Sequence, residues 1–422
     1  MLLDHGVENT PTASCKLLRE GARRRRKDRF MRGKYQKWIV HTAASLAREV
    51  LRRKLAKLVH WEPLNDPVPG CTAIIGDCSS LPNVLMANLR CLEASRWPDL
   101  KQVIAVFDRK PSIRTSSLVS EALSAFPQLN LQFFHYSDEQ HAAAERYKLG
   151  YLYAWLSWCI AIKHAKTEHV LFHDYDALLL GAAIGKRYTR YINSDAKVQG
   201  IRWYNENGIN ENDRLATTFE AFMNTRWLRS RAPIELFNKF RIVDNRSIDF
   251  DTTLDAQFGT LDSKDRDIAP MRFDELMHPS QMICQYTAYR KSPAAPLPCF
   301  SIPMIPFFNF LSRGERAIEE ATFSLKTAGS RDVDLLRDGT RINLAALNVD
   351  HVHWILRQIL QACQALSIAP TEQIYRYGEA LYDVTRTSDA RRWIGEDLAI
   401  YRPWIETAAS KPLCLEAELG LQ

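Results

Sequence analysis

The sequence predicts an α/β fold with a mostly parallel central sheet flanked by helices. Short apolar runs alternate with longer segments whose apolar residues recur at helical spacing. Parallel neighbours need crossover connections, and these helical segments would supply them. The predicted strands are Cys71–Gly76, Gln102–Asp108, Leu131–His135 and His169–His173. The predicted helices between them are Asn83–Ser95, Ser116–Ala125 and one long helix from about Glu139 to Ala165.

The basic charge of the chain is concentrated at its N-terminus. Residues 1–60 hold 16 Lys and Arg against 5 Asp and Glu, although the whole chain carries only +7. Residues 38–58 show the periodicity of a basic amphipathic helix. It could dock on the protein with a solvated basic face, or residues 23–58 could bind an anionic membrane surface. Nucleic acid is the least favoured partner, since no RNA-binding motif accompanies the basic run.

Length and composition indicate one large unit with appendages. We expect a basic extension over residues 1–62, a main domain over 70–290 and a mixed C-terminal region over 291–422. The nine scattered cysteines include no CxxC pair, which favours a reducing, cytoplasmic setting over a zinc site. No signal peptide is visible, and the longest apolar stretches fall short of the roughly 20 residues that a bilayer span needs. We therefore expect a soluble protein, or one held peripherally at the inner membrane face.

An Asp-x-Asp pattern occurs several times, and its context selects one copy. Only Asp174 and Asp176 directly follow a strand-like run and precede another apolar run, Ala177–Leu180. That position is the carboxyl end of a parallel strand, where such folds bind ligands. Two neighbouring carboxylates repel each other unless a cation lies between them, and a hard divalent ion also binds diphosphate oxygens. The sequence therefore predicts a metal–diphosphate site here.

The run His169–Leu180 resembles the metal motif of the GT-A glycosyltransferases, which have a Rossmann-like fold. The resemblance covers roughly residues 70–290 and implies a UDP- or GDP-linked sugar as donor, with Mn²⁺ or Mg²⁺ bound by Asp176 and assisted by Asp174. It also implies a glycan or lipid-linked acceptor, with residues 70–290 as the catalytic domain and residues 291–422 completing the acceptor side. The positions that it assigns to the nucleotide and its phosphates are Asp77, Ser79, Asp108, Lys148 and Asp174.

The resemblance also suggests residues for the acceptor side and for a late metal ligand. A carboxylate base is expected some way past the metal motif, where Asp251 is slightly favoured over Asp255. For a late histidine, His351 or His353 is preferred to His278. Histidines two apart share a face if that segment is a strand. The residues suggested for acceptor binding are Trp203, Glu206 and Glu211.

Other function classes fit the pattern less well. A haloacid-dehalogenase-type phosphatase would carry its Asp-x-Asp after the first strand, not about the fourth. A nucleotidyltransferase would need a glycine-rich basic loop where Gly76–Pro82 has one glycine and no base. A non-catalytic protein that binds membrane or nucleic acid through its N-terminus stays open as the alternative of a different class.

Overall fold

The computed structural model describes residues 32–77, 79–202, 214–272, 274–279, 282–291, 300–328, 331–369 and 371–385. Its strands are β1 (Arg32–Gly33), β2 (Val68–Asp77), β3 (Leu100–Phe107), β4 (Leu131–His135), β5 (Thr167–His173), β6 (Leu178–Leu179), β7 (Val198–Arg202), β8 (Ala216–Asn224), β9 (Lys239–Val243), β10 (Arg246–Phe250), β11 (Arg266–Ala269), β12 (Leu276–Met277), β13 (Asp332–Val333) and β14 (Ile342–Asn343).

The α-helices alternate with strands in the first half and dominate the last third. They are α1 (Trp38–Leu55), α2 (Pro82–Ala94), α3 (Ile113–Ala125), α4 (Asp138–Tyr147), α5 (Gly150–His164), α6 (Ala183–Ile192), α7 (Thr225–Arg229), α8 (Leu254–Thr260), α9 (Met282–Lys291), α10 (Ile305–Arg313), α11 (Arg316–Thr327), α12 (Val349–Ala365) and α13 (Glu372–Val384). In the described residues, no helix is long and apolar enough to cross a bilayer.

A seven-stranded sheet forms the centre, in the order β4-β3-β2-β5-β8-β7-β11. All neighbouring strands pair in parallel except β8, which runs antiparallel to both β5 and β7. The predicted mostly parallel α/β fold is confirmed. The carboxyl ends of β2, β3 and β5 consequently meet at one edge of the sheet.

Both faces of this sheet are buried. Successive side chains of a strand point to opposite sides of the sheet, so neighbouring residues enter different hydrophobic clusters. Ala73 and Ile75 of β2 belong to the hydrophobic cluster on the α2 face, whereas Ile74 belongs to the cluster on the α5 face. Helices α10 to α13 continue the α2-side cluster, with residues from Ile302 to Tyr382 sharing it. The C-terminal helices thus share a core with the sheet.

One element of the sequence prediction is wrong in the first half of the fold. The long helix expected from Glu139 to Ala165 is two helices, α4 and α5, which meet at Lys148. Lys148 adopts a left-handed conformation with φ of 50° and ends α4 by donating its backbone N–H to the Ala144 carbonyl. The helix is interrupted there, and Gly150 begins the second one.

Candidate metal and nucleotide site

Three side chains that could hold a metal ion converge at the carboxyl end of β5. The His278 Nε2 lies 3.6 Å from Asp174 Oδ2 and 3.4 Å from Asp176 Oδ1. One potential ligand atom from each residue lies within 4.8 Å of the others. In the part of the chain that the structure describes, this is the only group of three or more such side chains with that spacing.

A short strand pair brings His278 to the aspartates. The two residues before it, Leu276 and Met277, form β12 and pair antiparallel with Leu179 and Leu178 of β6, which closely follow Asp176. The ring of Phe219 stacks on the imidazole, with centroids 4.2 Å apart. The sequence ranked His278 behind His351 and His353, because a pairing between two-residue strands about a hundred residues apart leaves no periodicity to read.

The cluster is electrostatically suited to a cation. Burial raises the pKa of the Asp176 carboxyl, and the charge of Asp174 adds to the effect, although His278 opposes it. Burial alone would lower the pKa of His278, but hydrogen bonds to Asp174 and Asp176 and their charges outweigh it and raise this pKa to about 9. Without a metal the histidine therefore carries a proton between the two carboxylates. Asp174 is the most open of the three, with 41% of its side chain exposed.

A buried hydrogen-bond network holds the backbone of residues 174–177, which we call the metal loop. The Asn88 Nδ2 of α2 lies within 3.1 Å of the carbonyl oxygens of Asp174, Tyr175 and Ala177. The Asn88 Oδ1 faces His173 Nε2 at 3.0 Å, and His173 Nδ1 lies 2.9 Å from Glu220 Oε2. Arg187 donates to the second Glu220 oxygen at 3.2 Å. Asn88, His173 and Glu220 are fully buried. Sequence reasoning missed this network, whose one visible sign was an ionisable His173 inside a strand.

Replacement of Asn88 should disturb the metal loop without touching the metal. We expect Asn88→Ala to lower the free energy of unfolding by about 3 kcal/mol, since each buried polar group left without a partner costs about 1–3 kcal/mol. Mn²⁺ affinity should fall by about 10- to 100-fold, as for other groups that orient metal ligands. Urea unfolding and Mn²⁺ titration would measure both quantities. Asn130→Ala is the matched control, because Asn130 donates to a single carbonyl, that of Lys101, at an exposed position. Equal effects of the two substitutions would contradict the prediction.

Two of the residues predicted for the nucleotide meet at the ends of β2 and β3. The Ser79 hydroxyl donates to Asp108 Oδ1 at 2.7 Å, and its backbone N–H donates to the same oxygen at 3.2 Å. Asp77 ends β2, but its side chain lies outside what the structure describes. Lys148 is exposed at the α4–α5 junction. A β-carbon on Gly150, two residues further, would lie 3.9 Å from Cys284 Sγ.

The two candidate bases have different surroundings. Asp251 follows β10 and accepts hydrogen bonds at Oδ1 from the Asn238 amide and from the Thr252 backbone, each at 2.7 Å. Its side chain reaches solvent. The protein around it nevertheless raises the pKa of this carboxyl by displacing water from it, and the charges of Asp249 and Asp174 add to the increase. Asp255, by contrast, is buried and ion-paired with Arg241 and Lys239. Asp251 is thus the more accessible of the two carboxylates, whereas Asp255 links α8 to β9.

The histidines that the sequence preferred lie elsewhere. His351 and His353 are in α12, not in a strand, so residues two apart do not share a face. His351 stacks on Phe300 with centroids 4.7 Å apart, and His353 Nδ1 lies 2.9 Å from the Tyr382 hydroxyl. Neither joins the Asp174–Asp176 cluster. The three residues suggested for acceptor binding lie outside the described residues; they are Trp203, Glu206 and Glu211.

Comparisons with known proteins give only distant similarities. No protein-family model matches the chain, and no curated protein matches it. Among solved structures, the mannosyltransferase PcManGT from Pyrobaculum calidifontis, in complex with GDP-Man and Mn²⁺, is similar at 13% identity and a TM-score of 0.35, covering 89% of this chain and 96% of its own. TarS 1-349 from S. aureus is similar at 14% identity and a TM-score of 0.32, covering 75% and 89%.

A structure from another enzyme class is similar to the same extent. It is the 4-diphosphocytidyl-2C-methyl-D-erythritol synthase from Anaerococcus prevotii, at 14% identity and a TM-score of 0.33, covering 53% of this chain and 96% of its own. At this distance, a role for the chain has to be argued from its own residues.

Proposed function

We propose that this chain is a metal-dependent glycosyltransferase that moves a sugar from a nucleotide diphosphate donor to an acceptor hydroxyl. The observation that carries the proposal is the convergence of Asp174, Asp176 and His278 at the carboxyl end of β5. Two carboxylates and an imidazole on one side leave further coordination positions toward the open Asp174 side, where diphosphate oxygens would bind.

The ligand set fits a divalent ion and favours Mn²⁺. Mg²⁺ is usually held by oxygen ligands, whereas an imidazole is a ligand typical of transition metals. A bound ion would neutralise the charge that develops on the departing diphosphate. Asp176 and His278 would fix its position from the buried side, and Asp174 would complete the set from the exposed side.

The nucleoside end of the donor would lie at the ends of β2 and β3; β2 is the neighbour of β5 in the sheet, and β3 is the next strand. Ser79 holds Asp108 through Oδ1, so that Oδ2 can accept a hydrogen bond from a base or ribose. Asp77 stays a candidate for the same role, and Lys148 for a phosphate contact. This arrangement would align the diphosphate between Asp108 and the metal cluster.

On the acceptor side, Asp251 is the proposed base. A general base has to reach the attacking hydroxyl and be unprotonated, with a pKa not far below the working pH. The raised pKa of Asp251 and its interaction with the charge of Asp174 support this role. We further propose a glycan or lipid-linked acceptor, with contacts from Trp203, Glu206 and Glu211, and an enzyme that works on the cytoplasmic side of a membrane.

The test is calorimetric titration of the protein with UDP and with GDP, each with and without Mn²⁺. We expect binding in the micromolar range that requires the metal, since the ion bridges protein and diphosphate. His278→Ala removes the third metal ligand and should lower the affinity for the nucleotide in the presence of Mn²⁺. The loss should exceed the factor of about 10 to 100 that is typical of groups outside the first coordination sphere.

His351→Ala is the matched control, because that histidine stacks on Phe300 and lies outside the metal cluster. It should bind as the wild type does. Loss of binding in His351→Ala with retention in His278→Ala would overturn the assignment of the third ligand. Absence of metal-dependent binding of either nucleotide would overturn the proposed function and favour a non-catalytic protein.

A further inference from the structure

Helix α1 packs on the protein through polar residues as well as through Leu51 and Leu55. Arg52 is buried and donates from Nη1 to the Phe237 carbonyl at 2.7 Å. Arg48 pairs with Asp249 at 3.3 Å, and its guanidinium lies 4.5 Å from the ring centroid of Tyr151 and from that of Phe240. His41 Nδ1 lies 2.7 Å from the Ser247 hydroxyl. These anchors determine which face of the helix is turned inward.

The opposite face of α1 is apolar and exposed. Ile39, Leu46 and Val50 follow one another at intervals of seven and four residues, so they lie along one side of the helix. We name these three residues the α1 stripe; they are 72%, 66% and 45% exposed. Trp38 and Val40 at the N-terminal end are exposed as well. The sequence alternative of a docked helix with a solvated basic face holds in part: the helix is docked and Arg53, Lys54 and Lys57 are exposed, whereas Arg48 and Arg52 point inward as anchors.

Exposed cations lie at both ends of the α1 stripe. Lys37, Arg53, Lys54 and Lys57 are all exposed. The only carboxylate between residues 38 and 58 is Glu49, which lies 3.3 Å from Arg52 and 4.0 Å from Arg53. An apolar stripe bordered by cations matches a surface that is apolar inside and anionic outside.

We propose that α1 lies in the interface of a membrane containing anionic lipids, with the α1 stripe among the acyl chains and the surrounding cations among the headgroups. Amphipathic helices bind in this way when an apolar face and basic residues act together. Each Lys or Arg near an anionic surface adds to the attraction. Charge disfavours a second copy as the occupant, because a symmetric dimer through this face would bring the same cations together. The proposal does not depend on the transferase activity.

The test is flotation of the full chain with vesicles of phosphatidylcholine alone and with vesicles that also contain phosphatidylserine, an anionic lipid that gives a membrane a negative surface potential. Leu46→Gln/Val50→Gln removes apolar contacts and keeps every charge, including Arg23–Lys27. We expect the wild type to bind the phosphatidylserine vesicles and this variant to bind them at least about tenfold more weakly. Ile113→Gln is the matched control, because Ile113 is 92% exposed on another helix, and it should bind as the wild type does.

A second variant tests the cations. Arg53→Gln/Lys54→Gln/Lys57→Gln should lose the preference for phosphatidylserine, and wild-type binding should weaken with added salt. Circular dichroism would verify that each variant is folded. Unchanged flotation of Leu46→Gln/Val50→Gln would overturn the proposal. So would light scattering that shows a wild-type dimer turned into a monomer by that substitution, since the occupant would then be a second copy.

Discussion

Asp176→Asn is expected to lower the rate of nucleotide release from a nucleotide-sugar donor by about 10³-fold or more. The substitution keeps the size of the side chain and removes the charge at the most buried carboxylate of the metal cluster. Loss of a single electrostatic contact to the transition state costs about 10²- to 10³-fold, and here the ion itself would bind poorly. UDP-glucose, UDP-N-acetylglucosamine and GDP-mannose would serve as donor probes, with Mn²⁺ present.

The same substitution should spare the metal-free fold. Asparagine keeps the shape of Asp176, and its amide oxygen can still accept a hydrogen bond from His278, whose Nε2 lies 3.4 Å from Asp176 Oδ1. We expect added Mn²⁺ to raise the melting temperature of the wild type by mass action, and to leave that of Asp176→Asn unchanged. Asp267→Asn is the control, since Asp267 belongs to another Asp-x-Asp pair and binds Arg190 at the surface. Comparable rates in Asp176→Asn and wild type would contradict the metal assignment.

Asp251→Asn should slow transfer by about 10²- to 10⁴-fold, the range that general-base catalysis contributes. Its nucleotide and Mn²⁺ affinities should stay within about twofold of wild type, because Asp251 is placed on the acceptor side and outside the metal cluster. The raised pKa of Asp251 gives a second readout. A base has to be unprotonated, so the wild-type rate should fall toward acid at a higher pH than an ordinary aspartate would cause. That acid limb should be absent from the residual activity of the variant.

Asp255→Asn separates chemistry from stability. Asp255 is buried against Arg241 and Lys239, so its loss leaves two cations without their partner and should lower the free energy of unfolding. The turnover of the folded fraction should stay near wild type. A slow but fully stable Asp255→Asn, together with an active Asp251→Asn, would reverse the roles that we assign to the two carboxylates.

The sequence predicted best where the information is local. Strands β2 to β5 each contain a short apolar run, and the position of Asp174 and Asp176 follows from being next to one of them. The break at Lys148 was missed because a left-handed lysine has no residue signature comparable to glycine. His278 was underrated for another reason, since its place depends on a pairing between β6 and β12 that is set by tertiary packing.

The buried network was beyond prediction for a similar reason. Asn88 lies on a helix whose other inward residues are apolar, and an isolated asparagine is more often exposed than buried. Its partners His173 and Glu220 are in strands 47 positions apart. Only the antiparallel register of β5 and β8, which sets His173 opposite Glu220, brings them together. No spacing rule in the sequence marks an antiparallel strand inside a sheet that otherwise reads as parallel.

The β6–β12 pair brings together two segments that are far apart in the sequence. Asp176 and His278 bound to one ion would close a loop of about a hundred residues, which includes β7, β8, β9 and β10. Cross-links across long loops restrict the unfolded chain most, and the gain grows slowly with length. A metal at this site would thus act as a reversible cross-link between two distant parts of the chain, and chelation would remove the part of the stability that comes from restricting the unfolded chain.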